Sequence, residues 1–179
     1  LAQSWLGLAA DDHPRVDKLG PMIGLVLYQP DIPPNAGTLL RLGACLGVPV
    51  HVIEPCGFPF SDRAFRRAAL DYPAHAEIHH HRSFAAFLAE RPQGRLVLLN
   101  PSGAIPYFAF RFAPDDMLIL GRESTGAGPE VLAAAEHTLA IPMRPGLRSI
   151  NVAIAAAMVL GEALRQTGLF PQGGEFSHG

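Results

Sequence analysis

Along most of the chain, short apolar runs alternate with stretches in which apolar residues recur every three or four positions. The runs at residues 22–28 (MIGLVLY), 48–54 (VPVHVIE), 95–100 (RLVLLN), 117–121 (MLILG) and 138–141 read as buried β-strands. Residues 76–79 are a weaker strand signal. Pro49 belongs at a strand entry, because it cannot donate to a ladder. Residues 35–46 read as a helix, with Leu39, Leu42 and Leu46 spaced for one face. Ser61 and Asp62 can cap a short helix running to Leu70, and Ser83 caps another over residues 84–90. Pro129 suits the first turn of a helix over residues 129–135, and a long final helix is predicted over residues 149–167. This alternation implies an α/β fold, a mostly parallel sheet flanked by helices.

The ends break the pattern. Residues 1–21 carry Asp11, Asp12, Asp17, Pro14 and Pro21 without a period and read as an irregular extension. A single domain is expected over residues 22–168, followed by a flexible tail over residues 169–179. With 49% hydrophobic and 17% charged residues, the chain cannot be disordered as a whole. Its net charge of −2 does not advertise a nucleic-acid binder, although a local patch could serve one. Of 14 basic residues, all but Lys18 are arginine, whose planar fork suits phosphate and carboxylate. Cys45 and Cys56 form no metal-site spacing and read as buried free thiols in a reducing cytoplasm. No apolar run reaches the ~18 residues of a membrane span. Residues 1–20 lack the basic start and apolar core of a signal peptide.

Three segments that follow strands carry the candidate chemistry, as expected of a sheet that binds ligands beyond its carboxyl ends. In residues 30–41 (PDIPPNAGTLLR), prolines stiffen a strand exit, Asn35 can cap the next helix, and Arg41 lies near the end of its second turn. This reads either as an anion-receiving junction or as an ordinary one with a surface arginine. Residues 121–130 (GRESTGAGPE) place Arg122 and Glu123 directly after a buried strand, which is costly if merely structural. Gly121, Gly126 and Gly128 permit tight turns and close approach to a ligand. Their spacing fits neither a Walker A loop nor a dinucleotide fingerprint. Residues 141–151 (IPMRPGLRSIN) bring Arg144, Arg148, Ser149 as a natural cap and the amide of Asn151. Together the segments argue for one cleft without naming its reaction. Elsewhere, His79, His80 and His81 are adjacent and cannot converge as metal ligands must, so no metal site is expected. Asp115 and Asp116 read as a turn. Residues 65–73 (FRRAALDYP) give a basic helix followed by Asp71 and Tyr72, either a solvated face or a phosphate-contacting ridge.

These segments, in this order, resemble the motifs of the SPOUT-class RNA 2′-O-methyltransferases with a deep trefoil knot, and among them the branch that methylates wobble nucleotide 34 of tRNA. The pattern EIPxNTGNIxR is met by PDIPPNAGTLLR, GxExxGLP by GRESTGAGP, and IPMxPxxRSLNLSN by IPMRPGLRSINVAI. The stretches VHVIEPCGFPFSD and RRAALDY are similar too. The resemblance implies that residues 141–149 thread against residues 121–128 in a C-terminal knot. It implies S-adenosyl-L-methionine held by Leu120, Gly121, Glu123, Gly126, Ile141, Met143 and Ile150, with catalytic roles for Arg41, Ser149 and Asn151. Substrate contacts would come from Asn35, Arg63, Arg66, Arg67, Tyr72, Arg144 and Arg148. The implied partners are a tRNA anticodon stem-loop and a second copy of the chain, with neither DNA nor a membrane, in the cytoplasm. The run at residues 152–160, apolar on nearly every side, also favours a homodimer. Ala36, Thr38, Ala153 and Ile154 depart from the pattern, which implies altered hydrogen bonding behind the site. Another tRNA or rRNA ribose as target, or a silent RNA-binding protein of the same fold, stay open.

Overall fold

The protein is described by a computed structural model covering residues 22–59, 63–69, 72 and 75–172. Strands β1 (Gly24–Tyr28), β2 (Val50–Ile53), β3 (Ile78–His81), β4 (Leu96–Leu99), β5 (Ile105–Pro106), β6 (Met117–Leu120) and β7 (His137–Ala140) form one sheet. Its order is β3-β2-β1-β6-β4-β7-β5, and every pairing is parallel. A strand's side chains alternate between faces, so each apolar run feeds two cores. Leu25, Leu27, Val50, Val52, Val97, Leu118 and Leu120 pack under helices α1 (Pro33–Leu46), α2 (Arg63–Ala69) and α5 (Val152–Thr167). Val26, Tyr28, Ile53, Leu98 and Ile119 pack on α3 (Phe84–Glu90) and α4 (Pro129–Ala134) through Phe84, Phe87 and Val131. The Tyr28 hydroxyl donates to Glu130 and ties α4 to β1. Burial first, and then that bond, push this phenol up to about 12.

The α/β architecture is the expected one, with shifts at element ends. Helix α1 starts at Pro33, because two prolines fit the first turn, where no amide donor is needed. Asn35 is therefore inside the helix and is not its cap. Helix α5 starts at Val152 behind a capping Asn151, so Ser149 is not the cap either. Strand β3 runs two residues later than the weak signal, since its register pairs His79 with His51 and His81 with Ile53. The two-residue β5 was not anticipated. Cys56 is half-buried, but Cys45 is exposed, on the side of α1 turned away from its buried Ala36, Leu40 and Gly43. Asp115 lies in a turn as expected, but Asp116 lies just past it, is fully buried and accepts two 2.8 Å hydrogen bonds from Arg95. Residues 1–21, the proposed caps Ser61 and Asp62, with Leu70 and Asp71, and residues 173–179 lie outside the described residues.

The histidine run does converge, by alternate rather than adjacent members. His79 and His81 both stack on His51 of β2. His81 Nδ1 is 3.0 Å from Glu90 Oε2, and His81 Nε2 is 3.0 Å from His51 Nδ1. A carboxylate acceptor fixes the tautomers: His51 donates to His81, which donates to Glu90. No group of side chains suited to a metal occurs among the described residues. Burial, followed by the neighbouring His79 and His81, pushes His51 down to about 3. Above about pH 6.5 folded and unfolded His51 are both neutral. Below that pH the unfolded chain takes up a proton that folded His51 refuses, down to about pH 3. Stability should therefore fall steadily with falling pH over that window, by on the order of 1 kcal/mol per pH unit from His51. Urea midpoints should drop from neutral to acidic pH, and His51→Leu should reduce the slope. Midpoints that stay constant would contradict this account.

Candidate functional site

Parallel strands all end on one side of the sheet, and the three motif segments leave from there. Beyond the ends of β1, β4, β6 and β7 lies a cavity of about 510 Å3. Its lining includes Ile32 and Asn35 after β1, Leu99 and Asn100 at the end of β4, and Leu120, Gly121, Glu123 and Gly126 after β6. Ile141 and Met143 follow β7, and Arg148, Ser149, Ile150 and Asn151 complete it. All three segments thus meet in one cleft.

The segment after β6 folds back on itself. Arg122 and Gly126 exchange backbone hydrogen bonds of 3.0 and 2.8 Å, and Gly126 takes φ +75°, which favours glycine. Gly121 has no room for a side chain, because a Cβ there would lie 2.7 Å from Ala127 N and Gly126 C. Backbone therefore forms this wall of the cavity.

One hydrogen-bonded chain joins the segments. Asn151 Oδ1 accepts from Ala153 N at 2.8 Å and Ile154 N at 3.4 Å, amides that the first turn of α5 leaves unpaired. Its Nδ2 donates to Asn35 Oδ1 at 2.9 Å, and Asn35 Nδ2 donates to Glu123 Oε1 at 3.2 Å. Glu123 Oε2 accepts from the Asp31 amide at 3.2 Å. The Asp31 carboxylate accepts from the Ser124 hydroxyl, and Arg122 Nε is 3.6 Å away. Burial pushes the Glu123 carboxyl up, and the neighbouring Asp31 carboxylate pushes it further. Burial acts the same way on Asp31, but hydrogen bonds from Glu123 and Ser124 and the Arg122 guanidinium hold Asp31 below its ordinary value. Of the two carboxyls, Glu123 is therefore the one that takes up a proton more readily.

Of the sequence-predicted residues, Asn35, Leu120, Gly121, Glu123, Gly126, Ile141, Met143, Arg148, Ser149, Ile150 and Asn151 line the cavity. Arg41, Arg63, Arg66, Arg67, Tyr72 and Arg144 do not. Arg63, Arg66 and Arg67 are exposed on α2, and Arg144 is exposed after β7. Arg41 is exposed on α1, with its guanidinium over the Tyr72 ring. Sequence reasoning missed Asp31, which ties Glu123 and Arg122 together, and Asn100. The position of Asn100 directly after a buried strand was the signal that could have found it. Gly121→Ala should cost about 1–3 kcal/mol, because backbone atoms cannot step aside. A clear fall in unfolding temperature would bear this out, and an unchanged one would refute the packing account.

Residues 22–161 match the model of the SpoU rRNA Methylase family. A tRNA (cytidine(34)-2'-O)-methyltransferase of Beijerinckia indica is 57% identical over 146 residues, covering 80% of this chain and 91% of that protein. One of the same name from Escherichia coli K12 is 42% identical over 150 residues, covering 82% and 95%. A solved structure concerned with the 2-OH methylation of C/U34 on tRNA superposes with a TM-score of 0.77 at 44% identity, covering 82% of this chain and 96% of that one. The methyltransferase AviRb from Streptomyces viridochromogenes, in complex with the cofactor AdoMet, superposes with a TM-score of 0.76 at 25% identity, covering 89% and 66%. By its matched sequence, its parallel sheet and the cleft its three motifs share, the chain belongs to the SpoU rRNA Methylase family.

Proposed function

We propose that this chain transfers a methyl group from S-adenosyl-L-methionine to the ribose 2′-hydroxyl of nucleotide 34, the wobble cytidine or uridine of tRNA. The observation that carries the reading is the cavity in which the three motif segments meet, in a chain 57% identical to a tRNA (cytidine(34)-2'-O)-methyltransferase. Its volume of about 510 Å3 is that of a cofactor site. Its lining also fits the donor: Leu99, Leu120, Leu139 and Ile141 suit an adenine ring, while Asn100, Glu123 and Asn151 offer polar partners to hydroxyls and charged groups. Leu120, Gly121, Gly126, Ile141, Met143 and Ile150 would hold the cofactor, with Glu123 at its edge.

When bound, the sulfonium cofactor supplies an electrophilic methyl carbon. The chain's own part is chiefly placement of the 2′-oxygen in line with the bond that breaks. Arg41 orients the hydroxyl and stabilises negative charge growing on oxygen. Asn151 and Ser149, which line the cavity, would position the ribose. Asn35 holds Asn151 in its orientation through their 2.9 Å bond. Arg63, Arg66, Arg67, Arg144 and Arg148 form the positive surface for backbone phosphates. A loop nucleotide fits such a cleft because its ribose is accessible.

Two further features belong to this reading. The strand order supports the knot: residues 100–105 step past β7 to reach β5, and residues 107–116 return to β6 on the other side of β4. The chain leaving β7 inside this excursion must then reach α5, which packs against β6 and the turn at residues 107–109. The second feature is a homodimer. Ile154 and Met158 of α5 are 56% and 39% exposed, and Leu147 and Ile150 before the helix are exposed too, apolar surface that a second copy would cover. In this reading Arg41 of the partner subunit completes the cavity, since Arg41 does not line it in its own chain.

Methyl transfer to tRNA followed by nucleoside mapping should place 2′-O-methylation at nucleotide 34. Transfer to another tRNA or rRNA ribose would replace the substrate, and RNA retention without transfer would make the chain silent. Arg41→Ala should lower turnover by about 100-fold or more while calorimetric cofactor affinity stays unchanged. Normal turnover would remove Arg41 from the mechanism. Light scattering should give about twice the 19.1 kDa chain mass, and Ile154→Lys should shift it toward the monomer. A monomer mass for the unaltered chain would end the dimer reading.

A further inference from the structure

The guanidinium carbon of Arg41 lies 4.9 Å from the centroid of the Tyr72 ring. We propose that Tyr72 is a positioning residue for Arg41, holding the guanidinium by its ring face so that the nitrogen donors stay free for RNA. The proposal rests on the role given to Arg41 above.

The contact follows from helix packing. Gly37 stands one turn before Arg41 on α1, so the two share a face. A Cβ at Gly37 would lie 2.7 Å from Phe65 O and 2.8 Å from Ala69 N, so its absence lets the α2 backbone press against α1. Half-buried Tyr72, three residues past the end of α2, lies against the Arg41 side chain.

The chemistry of the partner matters as much as its place. Arg95 is paired with Asp116, Arg165 with Glu162, and Arg122 lies beside Asp31. Among the described residues, no carboxylate forms such a pair with Arg41. A carboxylate would occupy the planar fork and cancel its charge. An aromatic face attracts the flat side of the cation and leaves the in-plane N–H groups and the charge available. An arginine left loose on the surface would have to lose its rotamer freedom at each encounter with RNA, and the ring removes part of that cost beforehand. The ring face does this, so the hydroxyl is dispensable.

Single-turnover methyl transfer from labelled S-adenosyl-L-methionine to an anticodon stem-loop, at varied RNA concentration, tests the idea in the full chain. Tyr72→Leu should slow the maximal rate by roughly tenfold, with the RNA half-saturation point and cofactor affinity changed less than about twofold. Tyr72→Phe should recover the rate to within about twofold of the unaltered chain, since it keeps the ring. In an Arg41→Ala background, Tyr72→Leu should add no further loss. A Phe variant as slow as the Leu variant would overturn the proposal. So would a loss that persists without Arg41, or a raised half-saturation point at full maximal rate, which would make the ring a stacking platform for a base. Full activity of Arg41→Ala alone would instead sink the role of Arg41, and that result is read independently of any change at Tyr72.

Discussion

Asn151 can face only one way. Its carbonyl oxygen must accept from the amides that open α5, which turns its NH2 group toward Asn35. Asn35 must then present oxygen to Asn151 and nitrogen to Glu123. A cap requirement at one helix therefore sets the orientation of two amides and one carboxyl on three segments far apart in sequence. Each bond is ordinary in strength. Their shared direction is what matters, since reversing either amide would set donor against donor at one junction and acceptor against acceptor at the other.

This chain of bonds works only because the sheet brings its ends together. An all-parallel sheet delivers every strand to the same side, so β1, β4, β6 and β7 release their loops within one cleft. Burial on both faces makes those strands rigid, and the polar demands of the cleft are met by loops leaving a scaffold that does not move with them. Glycines set the spacing: Gly121 allows its own loop to close on it, and Gly37 lets α2 approach α1.

The alternation of strands and helices was legible because buried parallel strands are written as continuous apolar runs. The meeting of the three segments was legible because each follows such a run. Details that depend on tertiary partners were not. Asn35 resembles a cap, but the two prolines before it can occupy the first helical turn and push it inward. Ser149 resembles a cap as well, yet Asn151, two residues later, takes the position and bonds to Asn35. The grouping of His51 with His79 and His81 needed the β2–β3 register, which no single run contains. Asp31 was invisible because an aspartate in a proline-rich loop looks like a turn residue, whereas here it is held by Glu123, Ser124 and Arg122.

The cavity's walls differ in how firmly they are anchored. Leu99, Leu120 and Leu139 belong to the sheet, and removing them from place means breaking ladders on both sides. Residues 144–150 are exposed along their whole length. Free energies of opening are set locally, so this wall can part at a small fraction of the cost of global unfolding. Asn151, fastened to α5 and to Asn35, ends the loose stretch like a hinge pin. A ligand can thus be let in and out by one side of the cleft while Leu99, Leu120 and Leu139 on the sheet stay registered, which makes the exchange rate and the alignment separately adjustable by mutation.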